Sequence, residues 1–193
     1  MNITLRSPEE ITDQVFGLYE QHGDEDYIGE PVSQIEHMSQ AAALAEAEGY
    51  DEEVILAAFF HDIGHLCAAG AEVGSMDGMG NIDHEKLGAE YLLERGYSAR
   101  LAALVNGHVV AKRYLTFKHP EYFEKLSEAS RATLNFQGGV MSADEAKAFE
   151  QNPDADLIIR MRVWDDEAKI TEIPVDNIAH LKKLSIKHLQ YNL

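Results

Sequence analysis

Apolar residues recur along this chain at three- and four-residue spacing, the period of helices that bury one face. Behind Ser7-Pro8-Glu9-Glu10, a capping serine with proline at the first helical position and glutamate at the third, follow Ile11, Val15 and Leu18. The pattern predicts a second helix over about 32–48, closed by Gly49, with Ile35, Met38, Ala42 and Ala45 inward and His37 beside them. A third starts near Asp51, carries Val54, Ile55, Ala58 and Phe59 inward, and ends near Gly64 with His61 and Asp62 in its last turn. Residues 68–82, rich in Gly and Met, follow no period and predict a loop long enough to act as a lid over a functional site. Asp83 is expected to cap a helix through Arg95, holding His84 at its start and stopped by Gly96. Ser98 opens the next, with Leu101, Leu104 and Val105 inside and His108 near its exit, where Gly107 invites a bend or a close backbone approach. Helices are also expected over 120–126, 127–135, 142–150, 153–166 and 177–189, with short extended pieces near 170–175. No repeat, linker or low-complexity tract interrupts the pattern, so the reading is one all-α domain over residues 1–193.

Composition narrows the function. A chain of 193 residues, 45% hydrophobic and 26% charged, can bury one sizeable core. The formal net charge of −18, with no basic stripe, argues against a nucleic-acid partner. That charge suits a well-solvated surface, and secondarily the attraction of a cationic substrate. A single cysteine, Cys67, cannot form an internal disulfide and reads as a small buried residue in a protein of a reducing compartment, the cytoplasm. Residues 1–10 lack an apolar segment of signal-peptide length, and nothing approaches the roughly 20 apolar residues that span a bilayer.

The candidate chemistry centres on His61-Asp62, which closes the apolar run from Ala57 to Phe60. A carboxylate there can bridge two metal ions while imidazoles on either side complete their coordination. His37 lies 24 positions before His61, and His84 and His108 lie 23 and 47 after it, each on a different expected helix. Imidazoles and a carboxylate without thiolate favour iron, manganese or other first-row metals in a buried polynuclear site, and say little against zinc. In Arg162-Val163-Trp164-Asp165-Asp166, Asp165 is the better candidate for a closing carboxylate, although spacing alone leaves Asp166 open. Negative charge at a helix C-terminus is disfavoured unless a cation offsets it. His22, His119, His180 and His188 stand in polar or terminal surroundings and read as surface residues.

In order and type, His37, His61-Asp62, His84, His108 and Asp165 resemble the ligand set of the HD-domain superfamily in its two-metal form. Further stretches are similar to its phosphonate-cleaving, mixed-valence diiron oxygenase branch. They are Asp26-Tyr27-Ile28-Gly29-Glu30, Gln34-Ile35-Glu36-His37, Gly107 to Leu115, Leu126 to Arg131, and Gln137-Gly138-Gly139. The resemblance runs from about Asp24 to Asp166. It implies an HD-domain helical bundle with two iron ions, Fe(II)/Fe(III), and dioxygen as co-substrate. One iron would be held by His37, His61, Asp62 and Asp165, and the other by Asp62, His84 and His108. It places Tyr27 and Glu30, linked to each other, over the second iron, and it places His65 among the reacting groups. Gln34, His65, Lys112, Ser130 and Arg162 would line the substrate, the last four gripping its phosphonate. The implied reaction opens the carbon–phosphorus bond of 2-amino-1-hydroxyethylphosphonate or its trimethylammonio analogue, giving phosphate and glycine or glycine betaine. An upstream hydroxylase would supply that substrate.

The phosphonate assignments have physical grounds of their own. A dianion needs cations and hydroxyl donors, which Lys112, Arg162 and Ser130 provide. Lys112 lies four residues after His108 and so shares its helix face. Arg162, among Ile158, Ile159, Met161, Val163 and Trp164, calls for a buried anion partner. The same metal ligands also serve a phosphohydrolase acting on a phosphate ester, which is the alternative reading. A carbon–carbon-cleaving oxygenase and a regulatory metal-binding domain are more distant ones.

Overall fold

The computed structural model describes residues 6–27, 29–67 and 83–192. Among them the chain is all-α: α1 (Pro8–His22), α2 (Gln34–Ala47), α3 (Glu52–Phe60), α4 (Ile63–Cys67), α5 (His84–Leu93), α6 (Ala99–Lys118), α7 (Pro120–Lys125), α8 (Glu128–Phe136), α9 (Ala143–Phe149), α10 (Ala155–Glu167) and α11 (Ile178–Asn192). Their starts are written in short polar side chains. Ser7, Ser33 and Ser142 form reciprocal capping boxes with Glu10, Glu36 and Glu145. Asp51, Ser98 and Ser127 each accept a backbone N–H from the first turn that follows.

The core is built around α3, where every residue from Val54 to Phe60 is buried. A helix apolar on all sides belongs in the interior, and α2, α6, α10 and α11 pack around this one. Phe16 and Tyr19 of α1 stack on Phe59 at 5.4 and 4.5 Å between ring centroids. Full burial of each such aromatic contributes roughly 1.5–3 kcal/mol.

Several boundaries depart from the sequence pattern. His61 and Asp62 do not end one long helix. The chain breaks between α3 and α4, and the pair occupies the joint. Gly64, expected near the helix end, lies inside α4 and lets it meet α5, since a Cβ there would fall 1.9 Å from the His84 carbonyl oxygen. Asp83 precedes α5 in the left-handed region at φ 60° and its side chain makes no cap, and α5 stops at Leu93 rather than Arg95. α6 does not exit near His108 but continues to Lys118. The approach that Gly107 permits is to Ile158 of α10, whose side chain a Cβ would meet at 2.8 Å. Residues 170–175 form no strand, and the β-bridge among the described residues joins Asp26 and Ser33.

His188 is a correction of a different kind. It is buried, stacks on Tyr97 and accepts the Ser98 N–H at 3.1 Å, so it serves the core. His119 and His180 are exposed, His22 is half-buried, and Cys67 is half-buried rather than buried. The candidate lid over 68–82 lies outside the described residues. No described helix is long and apolar enough to cross a membrane.

Candidate metal centre

Three helices and one joint deliver five of the predicted ligands to a single buried point. His37 comes from the first turns of α2, His61 and Asp62 from the α3–α4 joint, His84 from the first residue of α5, and His108 from the middle of α6. All five are buried. His37 Nε2 and His61 Nε2 face each other at 3.0 Å, and His84 Nε2 and His108 Nε2 at 3.1 Å. Asp62 stands between the pairs. Its Oδ2 lies 3.6 and 3.5 Å from His37 and His61, and its Oδ1 lies 3.2 Å from both His84 and His108. Two three-residue groups able to hold a metal ion therefore share Asp62, each with ligand atoms within 4.8 Å of one another.

Proton positions support the same reading. His37 Nδ1 meets the Ala168 carbonyl at 2.9 Å, while His61 and His108 Nδ1 meet those of Ala58 and Val105 at 2.8 Å. A carbonyl only accepts, so each Nδ1 carries a hydrogen and each Nε2 is the nitrogen left to face the centre. Two such nitrogens at 3.0 Å repel unless a proton or a metal ion lies between them. Asp62 Oδ1 and Asp165 Oδ1 are likewise buried without a hydrogen bond. Burial works against a charge on His61, but Asp62 and Asp165 outweigh it and push its pKa up to about 9. The donor set thus calls for positive charge and fits metal ions.

Asp165, on α10, is buried with Oδ1 3.5 Å from His37 Nε2. Asp166 points elsewhere, to Arg162 and the Tyr122 hydroxyl. Helical phase thereby separates two carboxylates that spacing alone could not.

Around this centre the predicted substrate residues are placed unequally. Arg162 is buried and heavily engaged. Its Nη1 donates to Asp165 Oδ2 at 2.6 Å, its Nη2 to Ser130 Oγ at 3.0 Å and to Asp166, and its Nε to Tyr122 Oη at 2.9 Å. The buried anion partner expected of it is this pair of carboxylates, which keep it protonated against burial. Lys112, also buried, donates to Thr133 Oγ1 at 2.9 Å. Burial, and then Arg162, draw its pKa down to about 7. His65 stacks on His84 at 4.0 Å, and burial followed by His84 lowers its pKa to about 3, so its ring is neutral. Gln34 is buried at the start of α2 with Oε1 unbonded.

Tyr27 lies flat on His37, 4.1 Å between ring centroids at 12°. Burial, then Asp62 and Asp165, raise its pKa well above the usual value and keep the phenol protonated. The expected link from Tyr27 to Glu30 is made through the backbone, Glu30 N–H to Tyr27 O at 2.9 Å. The Glu30 carboxylate instead accepts from Lys169 Nζ at 2.7 Å. Sequence reading missed Lys169, Tyr122 and Thr133. Each meets its partner across 21 to 139 residues, and none belongs to a run with the expected ligands.

Comparison with known proteins agrees with the geometry. A profile of the HD domain matches residues 35–159. A protein of Acanthamoeba polyphaga mimivirus, L432, of uncharacterised function, is 42% identical over 91% of this chain and 80% of its own length. The [1-hydroxy-2-(trimethylamino)ethyl]phosphonate dioxygenase (glycine-betaine-forming) of Leisingera caerulea is 40% identical over 93% of this chain and 92% of its own. Hydroxymethylphosphonate dioxygenase of Gimesia maris is 35% identical over 90% and 85% respectively.

Proposed function

The chain belongs to the HD-domain family, and from that premise we propose that it uses dioxygen to break the carbon–phosphorus bond of a hydroxyphosphonate. The observation that carries this reading is the pair of three-ligand groups joined at Asp62, in a chain whose relatives include two named phosphonate dioxygenases. The substrate is of the 2-amino-1-hydroxyethylphosphonate type, its amine primary or trimethylated. With a primary amine, substrate and one O2 give glycine and inorganic phosphate; the trimethylated form gives glycine betaine. A hydroxylase that installs the C1 hydroxyl would supply it.

Two iron ions, Fe(II)/Fe(III), are the metals this reading requires. When bound, they supply one-electron chemistry toward dioxygen and Lewis acidity toward substrate oxygens, where zinc offers only the second. His37, His61, Asp62 and Asp165 would hold one ion, and Asp62, His84 and His108 the other. The remaining residues bind and orient. Lys112 and Ser130 take the phosphonate oxygens, and Arg162 keeps Asp165 and Ser130 in place while offering its remaining Nη1 hydrogen. His65, neutral, contributes a ring nitrogen without charge. Tyr27 covers His37 and limits water, and Gln34, at the start of α2, offers its unbonded Oε1 to the substrate. Holding the C1–H bond in one direction is their joint contribution to rate.

The deciding experiment is phosphate release by iron-loaded protein from both aminophosphonates, with and without oxygen. Oxygen-dependent release from either supports the reading. Turnover of phosphate esters without oxygen, and none of the phosphonates, returns the chain to the phosphohydrolases. Asp62→Ala should lower iron from about two ions per chain to near zero, because both groups lose a shared ligand. Retention of two ions would sink the bridging role.

A further inference from the structure

The strap between α1 and α2 folds back on itself through the Asp26–Ser33 bridge and is pinned at three points. Tyr27 lies on His37. Gly29, at φ 80°, passes so near α8 that a Cβ would stand 2.7 Å from Ala129 Cβ. Glu30 is tied to Lys169, their side chains 9% and 14% exposed. The Lys169 ammonium lies 5.8 Å from the Tyr27 ring centroid. Its backbone directly follows Ala168, whose carbonyl orients His37. A cavity of about 500 Å³ opens against the strap, with Asp26, Glu30 and Glu36 in its wall.

We propose that Lys169 is a specificity-determining residue, an internal ammonium that occupies Glu30 and so sets the preference between hydroxyphosphonates with and without a cationic amine. The inference rests on the phosphonate reading above. With Lys169 in place, Glu30 is half of a neutral ion pair, and the acidity of that wall is left to Asp26 and Glu36. A substrate ammonium drawn to that wall must displace Lys169 or bind beside a carboxylate already satisfied. Either way it gains only part of the attraction that an unpaired carboxylate would give. Removing the lysine charge leaves a largely desolvated carboxylate uncompensated, a costly state that a substrate ammonium relieves. Hydroxymethylphosphonate, which has no amine, gains nothing from the change.

The test uses the full-length, iron-loaded protein as wild type, Lys169→Met and Lys169→Arg. Calorimetry without oxygen gives Kd for hydroxymethylphosphonate, 2-amino-1-hydroxyethylphosphonate and its N-trimethyl analogue, and phosphate release in air is read separately. Methionine keeps the apolar stem, and arginine keeps the charge. Lys169→Met should shift the Kd ratio toward the amine-bearing compounds by about tenfold, the factor equivalent to 1.4 kcal/mol. Lys169→Arg should keep the wild-type ratio. Loosening of the strap alone would move all three Kd values together. A ratio unchanged within about twofold in Lys169→Met overturns the proposal, as does the same shift in Lys169→Arg or a failure of all three compounds to bind. Binding without oxygen-dependent phosphate release would overturn the oxygenase reading alone, while the Kd ratio still decides the role of Lys169.

Discussion

Lys112 and Arg162 are both cations, both almost fully buried, and both held by one face of α8, yet they are in opposite states. Arg162 sits among Asp165, Asp166, Ser130 and the Tyr122 hydroxyl, so its charge is offset where it stands. Lys112 meets a neutral hydroxyl, that of Thr133. The consequence appears in their protonation, since Arg162 stays charged while Lys112 is drawn to about 7. Two basic side chains near one candidate metal centre are therefore set to different work. The arginine organises the protein's own carboxylates, and the lysine, on the function proposed above, offers its charge to the phosphonate. Fork geometry suits the first task and a titratable point charge the second.

Arg162→Met should have the largest effect on this contrast. It leaves Asp165 buried and unpaired and Asp166 without its guanidinium, a change that typically costs about 3–5 kcal/mol. At roughly 2–4 °C per kcal/mol for a chain of this size, Tm of the metal-free protein should fall markedly. Metal should restore part of the loss, because an ion near Asp165 replaces the missing charge. Equal Tm for variant and wild type without metal would end the view of Arg162 as an organiser.

Lys112→Met should act in the opposite direction. The folded-state pKa lies below the ordinary lysine value, so burying the charged form destabilises the protein fully below pH 7 and progressively less as pH rises toward 10.5. Methionine removes that penalty, so Tm at pH 6 should rise while phosphonate affinity falls about tenfold or more. In the wild type, affinity should weaken by up to about tenfold per pH unit above 7, as the free protein loses the lysine proton. Lys112→Arg should flatten that limb of the profile. A wild-type affinity independent of pH between 7 and 9 would show that Lys112 does not face the anion.

Much of this contrast was out of reach of the sequence, for definable reasons. Serine and aspartate caps marked most helix starts because capping is local, and the all-α class followed from the period. The ligand residues stood out because His-Asp and the spaced histidines are chemically conspicuous, and the structure brings them together. What failed was decided by tertiary contact. Gly107 leaves a bend and a close approach both open until Ile158 is seen pressing on it, and Gly64 reads as a helix end until α5 crosses it. Arg162 correctly demanded an anion, but sequence could not tell an external phosphonate from Asp165 and Asp166 three and four residues on. His188 looked terminal and polar, and Tyr97, 91 residues earlier, makes it part of the core.

The finest test of the contrast is Tyr122→Phe. Tyr122 on α7 donates to Asp166 and accepts from Arg162 Nε, so its hydroxyl closes a ring of three groups around the guanidinium. Removing it deletes one hydrogen bond from each neighbour but leaves both carboxylates paired with the arginine. The expected loss is about 1 kcal/mol of stability, read from denaturant midpoints. Iron content should not change, because Asp165 keeps its Nη1 bond. The pH profile of phosphonate binding should not change either, because Lys112 and Thr133 lie outside the ring. If iron content fell as well, the hydroxyl would have to be holding Asp165 through Arg162, and the organising unit would extend to α7. If the pH profile moved instead, the two cations would be one coupled group, and the separation of their roles would fail.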